Sequence, residues 1–153
     1  MHEKPKRIEL IARAVGRRNG RLLLCRNVAN GYAFLPGGHI EPGETAAAAL
    51  AREFMEECGV PVTVGNLLLV NEHRFVQDDR PRHEINLVFH VEPRQGPWPQ
   101  RMQSLEKAIS FEWIEPAALP EAKLLPPPLL AWLLAGGPDS DQGPWLSDPG
   151  AVS

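Results

Sequence analysis

The chain has 153 residues, the length of a single domain with its own core, and 43% of them are hydrophobic, which is a globular composition. A formal net charge of −3 argues against a long nucleic-acid duplex or an anionic membrane as partner. No apolar run reaches the ~18 residues of a membrane span, and MHEKPKRIEL lacks the apolar stretch of a signal peptide, so a soluble cytoplasmic protein is expected.

Residues 7–15 (RIELIARAV) and 21–26 (RLLLCR) read as strands. Arg18-Asn19-Gly20 between them carries an Asn-Gly turn signal, so the two should form a hairpin. A short strand at 33–36 leads into a Gly-rich loop, Leu35-Pro36-Gly37-Gly38. A helix is expected from Thr45 to Cys58. The alanines at 46–49 favour it, and Gly59 and Pro61 end it. Its apolar stripe would be Ala47, Leu50, Phe54 and Cys58, packing on a sheet.

Beyond the helix, 62–75 reads as a long strand or a bent pair broken at Gly65-Asn66, and Gln77 to Arg82 as a polar loop tip. In 84–91, Ile85, Leu87, Phe89 and Val91 alternate with Glu84, Asn86, Val88 and His90, as on the two faces of a strand. Residues 93–100 read as a loop, 109–114 as a last strand, 115–119 as a turn of helix, and Leu129 to Ala135 as a helix begun by the prolines at 126–128. A domain over 1–135 would then be followed by a tail, 136–153, disordered by composition, with Trp145 docking in an apolar groove of its own domain or of a second copy in a homodimer. Cys25 and Cys58 form no paired motif and read as buried thiols. Helix between strands, with a second helix at the end, gives an α/β class: a mixed sheet between helical layers.

The chemistry concentrates in residues 38–60, GHIEPGETAAAALAREFMEECGV. Glu53, Glu56 and Glu57 stand at i, i+3 and i+4, which puts three carboxylates on one helix face, about 120° around from the apolar stripe at ~100° per residue. Such like charges repel, and only Glu56 has a cation, Arg52, at i−4. A solvated acidic face is one explanation. The other, which the spacing favours, is a hard divalent cation such as Mg²⁺, shared with substrate phosphates. A glycine loop opening a helix welcomes anions while these glutamates repel them, and a bridging cation removes the conflict.

The spacing Gly38-x5-Glu44-x7-Arg52-Glu53-Phe54-x-Glu56-Glu57-x-Gly59-Val60 resembles the Nudix box of the Nudix hydrolases, with every polar and glycine position filled. Phe54 stands where that family usually has Ile, Leu or Val, a departure that concerns packing. The resemblance implies an α/β/α sandwich with a mixed sheet. It also implies a Mg²⁺-dependent pyrophosphohydrolase, with Mn²⁺ as a possible substitute, in which water attacks phosphorus in a small nucleotide. Implied metal ligands are Glu53, Glu56, Glu57 and the carbonyl of Gly37, with Glu53 also a base and Arg52 orienting the carboxylates. Glu44 would hold Arg52 or a water, or act as a plain acid at the helix start. The family commonly brings one more acid from outside the box, and Glu84 is the candidate against a strand-end surface acid.

Arg26 could meet a phosphate or face solvent, and His39 could touch substrate. Phe34, Tyr32 and Phe75 could stack on a base or belong to the core. Phe75 stands where ADP-ribose enzymes of the family have a proline, and the tyrosine of its dinucleoside polyphosphate group is missing, which leaves a nucleoside di- or triphosphate or a nucleotide sugar. A non-catalytic nucleotide sensor is the competing class. Such domains usually lose box glutamates that this chain keeps, and no basic patch is evident along the sequence.

Overall fold

The computed structural model describes residues 3–147. Nine strands run in chain order: β1 (Glu9–Val15), β2 (Arg17–Arg18), β3 (Arg21–Asn27), β4 (Ala33–Phe34), β5 (Gly37–His39), β6 (Val62–Gln77), β7 (Arg80–Pro93), β8 (Ile109–Ile114) and β9 (Trp145–Ser147). Helix α1 (Ala46–Glu57) lies between β5 and β6, and α2 (Pro127–Leu134) between β8 and β9, with a 3-10 turn at Pro116–Glu121 before α2. One sheet has the order β5-β1-β7-β6-β9, with β1 parallel to β7 and β6 parallel to β9. The second joins β2, β3 and β4, with β8 against β3.

The two faces of the strands feed separate cores. Leu22 and Leu24 of β3 point with Val15, Leu69 and Val88 into a cluster closed by Leu129, Trp132 and Leu133 of α2. Leu23, between them, joins Ala12, Ala14 and Val91 under Leu50 and Phe54 of α1. Coverage on both faces is why RLLLC is apolar at successive positions instead of alternating. This is the mixed-sheet α/β/α arrangement expected.

Several local expectations are corrected. The Asn19-Gly20 turn forms, both residues at positive φ, but it joins β2 to β3. β1 pairs with β5 and β7, and the chain passes to the second sheet at Gly16, where a Cβ would come within 3.0 Å of the Trp98 ring. The polar tip at 77–82 shrinks to Asp78-Asp79, at φ 51 and 61, and β6 and β7 pair up to Gln77↔Arg80. The Gly65-Asn66 break is a register shift within one continuous strand. Asn86 and Val88, which share a face with Glu84 and His90, are both fully buried. On α1 the buried stripe runs through Ala49, Leu50 and Phe54, while Ala47 is exposed.

The tail differs most. Residues 145–147 add β9 to the edge of β6, with Val70 donating its N–H to the Pro144 carbonyl at 2.7 Å. Trp145 is 52% exposed, so it does not dock; Leu146 packs on the core instead, and the Asn71 side chain donates to its carbonyl at 3.1 Å. Residues 148–153 of the expected tail lie outside the described residues. Leu146→Ala should therefore lower the unfolding free energy by about 1–2 kcal/mol, against under about 0.5 kcal/mol for Trp145→Ala, in urea titrations. The reverse order would contradict this packing.

Candidate active site

Local signals set the helix that carries the carboxylates. Thr45 caps it, its Oγ1 accepting from the Ala48 N–H at 3.0 Å, and Gly59 at φ 71 ends it. Leu50 and Phe54 fix its rotation by burial, each stabilising by about 1.5–3 kcal/mol. Phe54 sits 6.0 Å from the Trp98 ring, ring centroid to centroid, which accounts for the aromatic at that position. With Ala49, Leu50 and Phe54 inward, Glu53 and Glu57 fall at the border of the apolar stripe and are half-buried, while Glu56 stays exposed.

Glu53 is seated against the backbone of β5. A Cβ built on Gly38 would lie 2.4 Å from its Cδ and 2.5 Å from its Oε1, so the carboxylate occupies space that any side chain at 38 would fill. Gly37 is held as tightly from the other side, since a Cβ there would meet the Ala12 carbonyl oxygen at 1.9 Å. The glycine pair thus lets β5 lie on β1 and lets Glu53 lie on β5.

Arg52 gathers the neighbouring acids. Its Nε and Nη2 donate to the two oxygens of Glu44 at 2.8 and 2.7 Å, and its Nη1 donates to Glu53 at 3.0 Å and Glu56 at 3.2 Å. Nη2 also reaches the His39 carbonyl at 3.1 Å. The hydrogen bonds from Arg52, helped by the Glu41 N–H, hold Glu44 down at about 2, and the same carboxylates raise Arg52.

Glu57 behaves oppositely. Burial, and then the charge of Glu53 with which it shares a hydrogen bond, push its carboxyl up to about 8. Two oxygen acids thus crowd a site that neutralises only one of them. Among the described residues, no three acid, imidazole or thiol groups converge as they stand on a point that would hold an ion. Arg52 occupies oxygens of Glu53 and Glu56, and Glu57 turns toward Glu53. The donor chemistry nevertheless fits a hard cation: all-oxygen ligands, a carboxyl whose pKa is raised by burial and by the charge of Glu53, and a glycine seat for one carboxylate.

Sequence reasoning passed over Arg13. It stands in β1, where a cation between Ala12 and Ala14 was the available signal. Its Nη1 donates to the Leu35 carbonyl at 3.1 Å, its Nε to Asn86 Oδ1 at 3.4 Å, and its guanidinium lies 5.7 Å from the centre of the Phe34 ring. Burial lowers its pKa, and the charges of Glu84, Cys25, Glu57 and Glu53 oppose that. Arg13 thus feels the charges of Glu84 on β7 and of Glu53 and Glu57 on α1. Beside it, Asn86 and its neighbour in register, Asn71, are fully buried, with Asn86 Nδ2 and Asn71 Oδ1 lacking partners among the described residues.

The remaining candidates separate. His39 lies at the end of β5 with its Nε2 2.9 Å from Glu9 Oε1. Arg26 is turned to structure: it pairs with Glu112 of β8 and donates through Nη1 to the carbonyls of Gly31 at 2.6 Å and Ala122 at 2.9 Å. These bonds occupy the group that a phosphate would need. Phe75 stacks on His73 at 4.7 Å, and Tyr32 is exposed. Cys25 and Cys58 are buried free thiols, and burial pushes Cys25 up to about 12.

Known proteins provide a comparison. The model of the NUDIX domain family matches residues 9–133. A MutT-like protein of Streptomyces ambofaciens is 36% identical over 111 residues, 72% of this chain and 66% of that protein. The CTP pyrophosphohydrolase of Escherichia coli (strain K12) is 41% identical over 64 residues, 39% of this chain and 47% of that protein. The chain thus spans less than two thirds of either relative. The solution structure of the E. coli ORF135 protein superposes with a TM-score of 0.63 at 28% identity, covering 84% of this chain and 89% of that one.

The proton on Glu57 has a measurable consequence. Its folded pKa lies above the ordinary carboxylate value, so without metal its stabilising effect is full below that value and is lost as pH rises through about 8. Added Mg²⁺ should raise the melting temperature more at about pH 9 than at about pH 6, where it must displace the proton. Equal gains at both pH values would contradict the assignment of Glu57 to the ion.

Proposed function

This chain belongs to the NUDIX domain family, and from that premise we propose that it is a hydrolase that cleaves the phosphoanhydride of a small nucleotide in a reaction dependent on Mg²⁺ or Mn²⁺. The first candidate substrate is a nucleoside triphosphate such as CTP, split to the monophosphate and pyrophosphate. The observation that carries the reading is the carboxylate set of α1: Glu53 seated on Gly38 beside a Glu57 pushed up to about 8. The 41% identity to a protein named CTP pyrophosphohydrolase supports the substrate.

Glu53, Glu56 and Glu57, with Glu84 and the Gly37 carbonyl, would hold the ion. When bound, it polarises phosphoryl oxygens and lowers the pKa of a water. Glu53 takes a proton from the attacking water as the new oxygen–phosphorus bond forms and the bridging bond breaks, with the pyrophosphate oxygen leaving. Arg52 aims Glu53 for that task through their 3.0 Å hydrogen bond. Arg13, the cation beside Glu84, offsets negative charge on the substrate, and Phe34 beneath it offers a ring face to the base.

The test is a panel of nucleoside triphosphates, nucleotide sugars, ADP-ribose and dinucleoside polyphosphates with Mg²⁺ or Mn²⁺, with the products identified. Glu56→Gln and Glu57→Gln should each lower kcat by about 100-fold or more, since the lost charge stabilisation amounts to several kcal/mol. Glu57→Gln should also leave the metal-free protein at least as stable, because it removes a half-buried acid from beside Glu53. Near-normal turnover in both variants at saturating Mg²⁺ would overturn the reading.

A further inference from the structure

The sheet places a cationic cleft next to the acidic site. On β7 the side chains of Arg80, Arg82, Glu84 and Asn86 share one face, and on β1 those of Glu9 and Arg13 share one, because side chains alternate along a strand. β1 and β7 run parallel with Glu9 opposite Glu84, so these faces form a single surface. Along it the character changes from the buried amide of Asn86, through Arg13 and Glu84, to Arg82 and Arg80. There the strand is met by Lys4, Lys6 and Arg7, and the five cations line one cleft of about 740 Å³.

Two acids also line the cleft, Glu3 and Glu9. Glu9 is already spent: it is buried, and although burial alone would raise its pKa, hydrogen bonds from His39 and Arg82 outweigh that and lower it. Arg82 meets both its oxygens at 2.8 Å. The side chains of Lys4, Lys6, Arg7 and Arg80 form no hydrogen bond or ion pair with any described residue. Four unneutralised cations therefore stand against Glu3 in one concave site, on a chain whose net charge is −3. Low-dielectric walls focus such a field on an incoming anion. This corrects the expectation of no basic patch, which failed because residues 4–7 and 80–82 meet only in the fold.

We propose that this cleft is an oligophosphate-binding site, formed by Lys4, Lys6, Arg7 and Arg80. Glu9 at its floor lies four residues from Arg13 along β1, about 13 Å at ~3.3 Å per residue. A nucleotide whose phosphates meet Arg13 would therefore reach the cleft with a distal phosphate. A separate oligophosphate can equally occupy it. The chemistry recognised is the same in both cases, and the site does not depend on the proposed reaction.

The test uses the full chain and inorganic tripolyphosphate, titrated calorimetrically in EDTA so that neither metal nor turnover contributes. The wild type should bind it, more weakly as salt increases, and Lys6→Ala/Arg80→Ala should bind about tenfold or more weakly with an unchanged melting temperature. Steady-state turnover then separates the sources. A raised KM at constant kcat in the double variant marks the cleft as the seat of the substrate's own distal phosphate. An unchanged KM with lost tripolyphosphate binding marks a separate oligophosphate. No wild-type binding of millimolar tripolyphosphate at low salt, or equal binding by the double variant, would overturn the proposal, and either result leaves the metal-dependent reaction to its own test.

Discussion

The site is organised around one close approach, the carboxylate of Glu53 resting where Gly38 has no side chain. For that contact to exist, β5 must lie against β1, which in turn requires Gly37 to fit over the Ala12 carbonyl. α1 must also present its Glu53 edge to β5, which Leu50 and Phe54 enforce by burial. Arg52 then fastens the helix to the preceding loop through Glu44 and to β5 through the His39 carbonyl. The glycines, the apolar stripe and the arginine are three parts of one constraint on the position of a carboxylate.

That constraint explains the electrostatics. A helix rotated to bury Leu50 and Phe54 cannot keep Glu53 and Glu57 fully in water, since both border the same stripe. Arg52 neutralises the outer acids, Glu44 and Glu56, and one oxygen of Glu53, and does not reach Glu57. Burial and the charge of Glu53 therefore raise the Glu57 carboxyl, and in the proposed reaction a divalent cation would take the place of its proton. Farther along the sheet the sign of the charge reverses, from the Glu84 and Arg13 pair to the unpaired lysines and arginines of the cleft. The surface is thereby suited to an elongated anion with metal at one end and cations at the other.

The parts legible in the sequence are those set by neighbours along the chain. Thr45, the alanines and Gly59 delimit α1 locally, and the i, i+3, i+4 glutamates declare their shared face without reference to any partner. Pairing is another matter. Nothing between residues 7 and 26 says that β1 lies in a different sheet from β3, because its partners, β5 and β7, come from outside that stretch. The burial of Asn86 is not legible because alternation marks two faces without saying which is covered, and here both are. Residues 145–147 gain their strand from the free edge of β6, which composition cannot reveal. Arg13 and the basic cleft belong to the same class: each is a charge whose meaning depends on residues far away in the chain.

The most direct measurement is of Mn²⁺ binding to Gly38→Ala, followed by electron paramagnetic resonance with circular dichroism as the check on folding. The side chain that must yield, Glu53, ends in a mobile carboxylate, so the variant should fold with a melting temperature close to the wild type. Its carboxylate should nevertheless be displaced from the seat, and Mn²⁺ affinity should fall by about tenfold or more, as when groups that orient a metal ligand are lost. Wild-type Mn²⁺ affinity in a folded Gly38→Ala would contradict the claim that the seat of Glu53 on Gly38 is what builds the site.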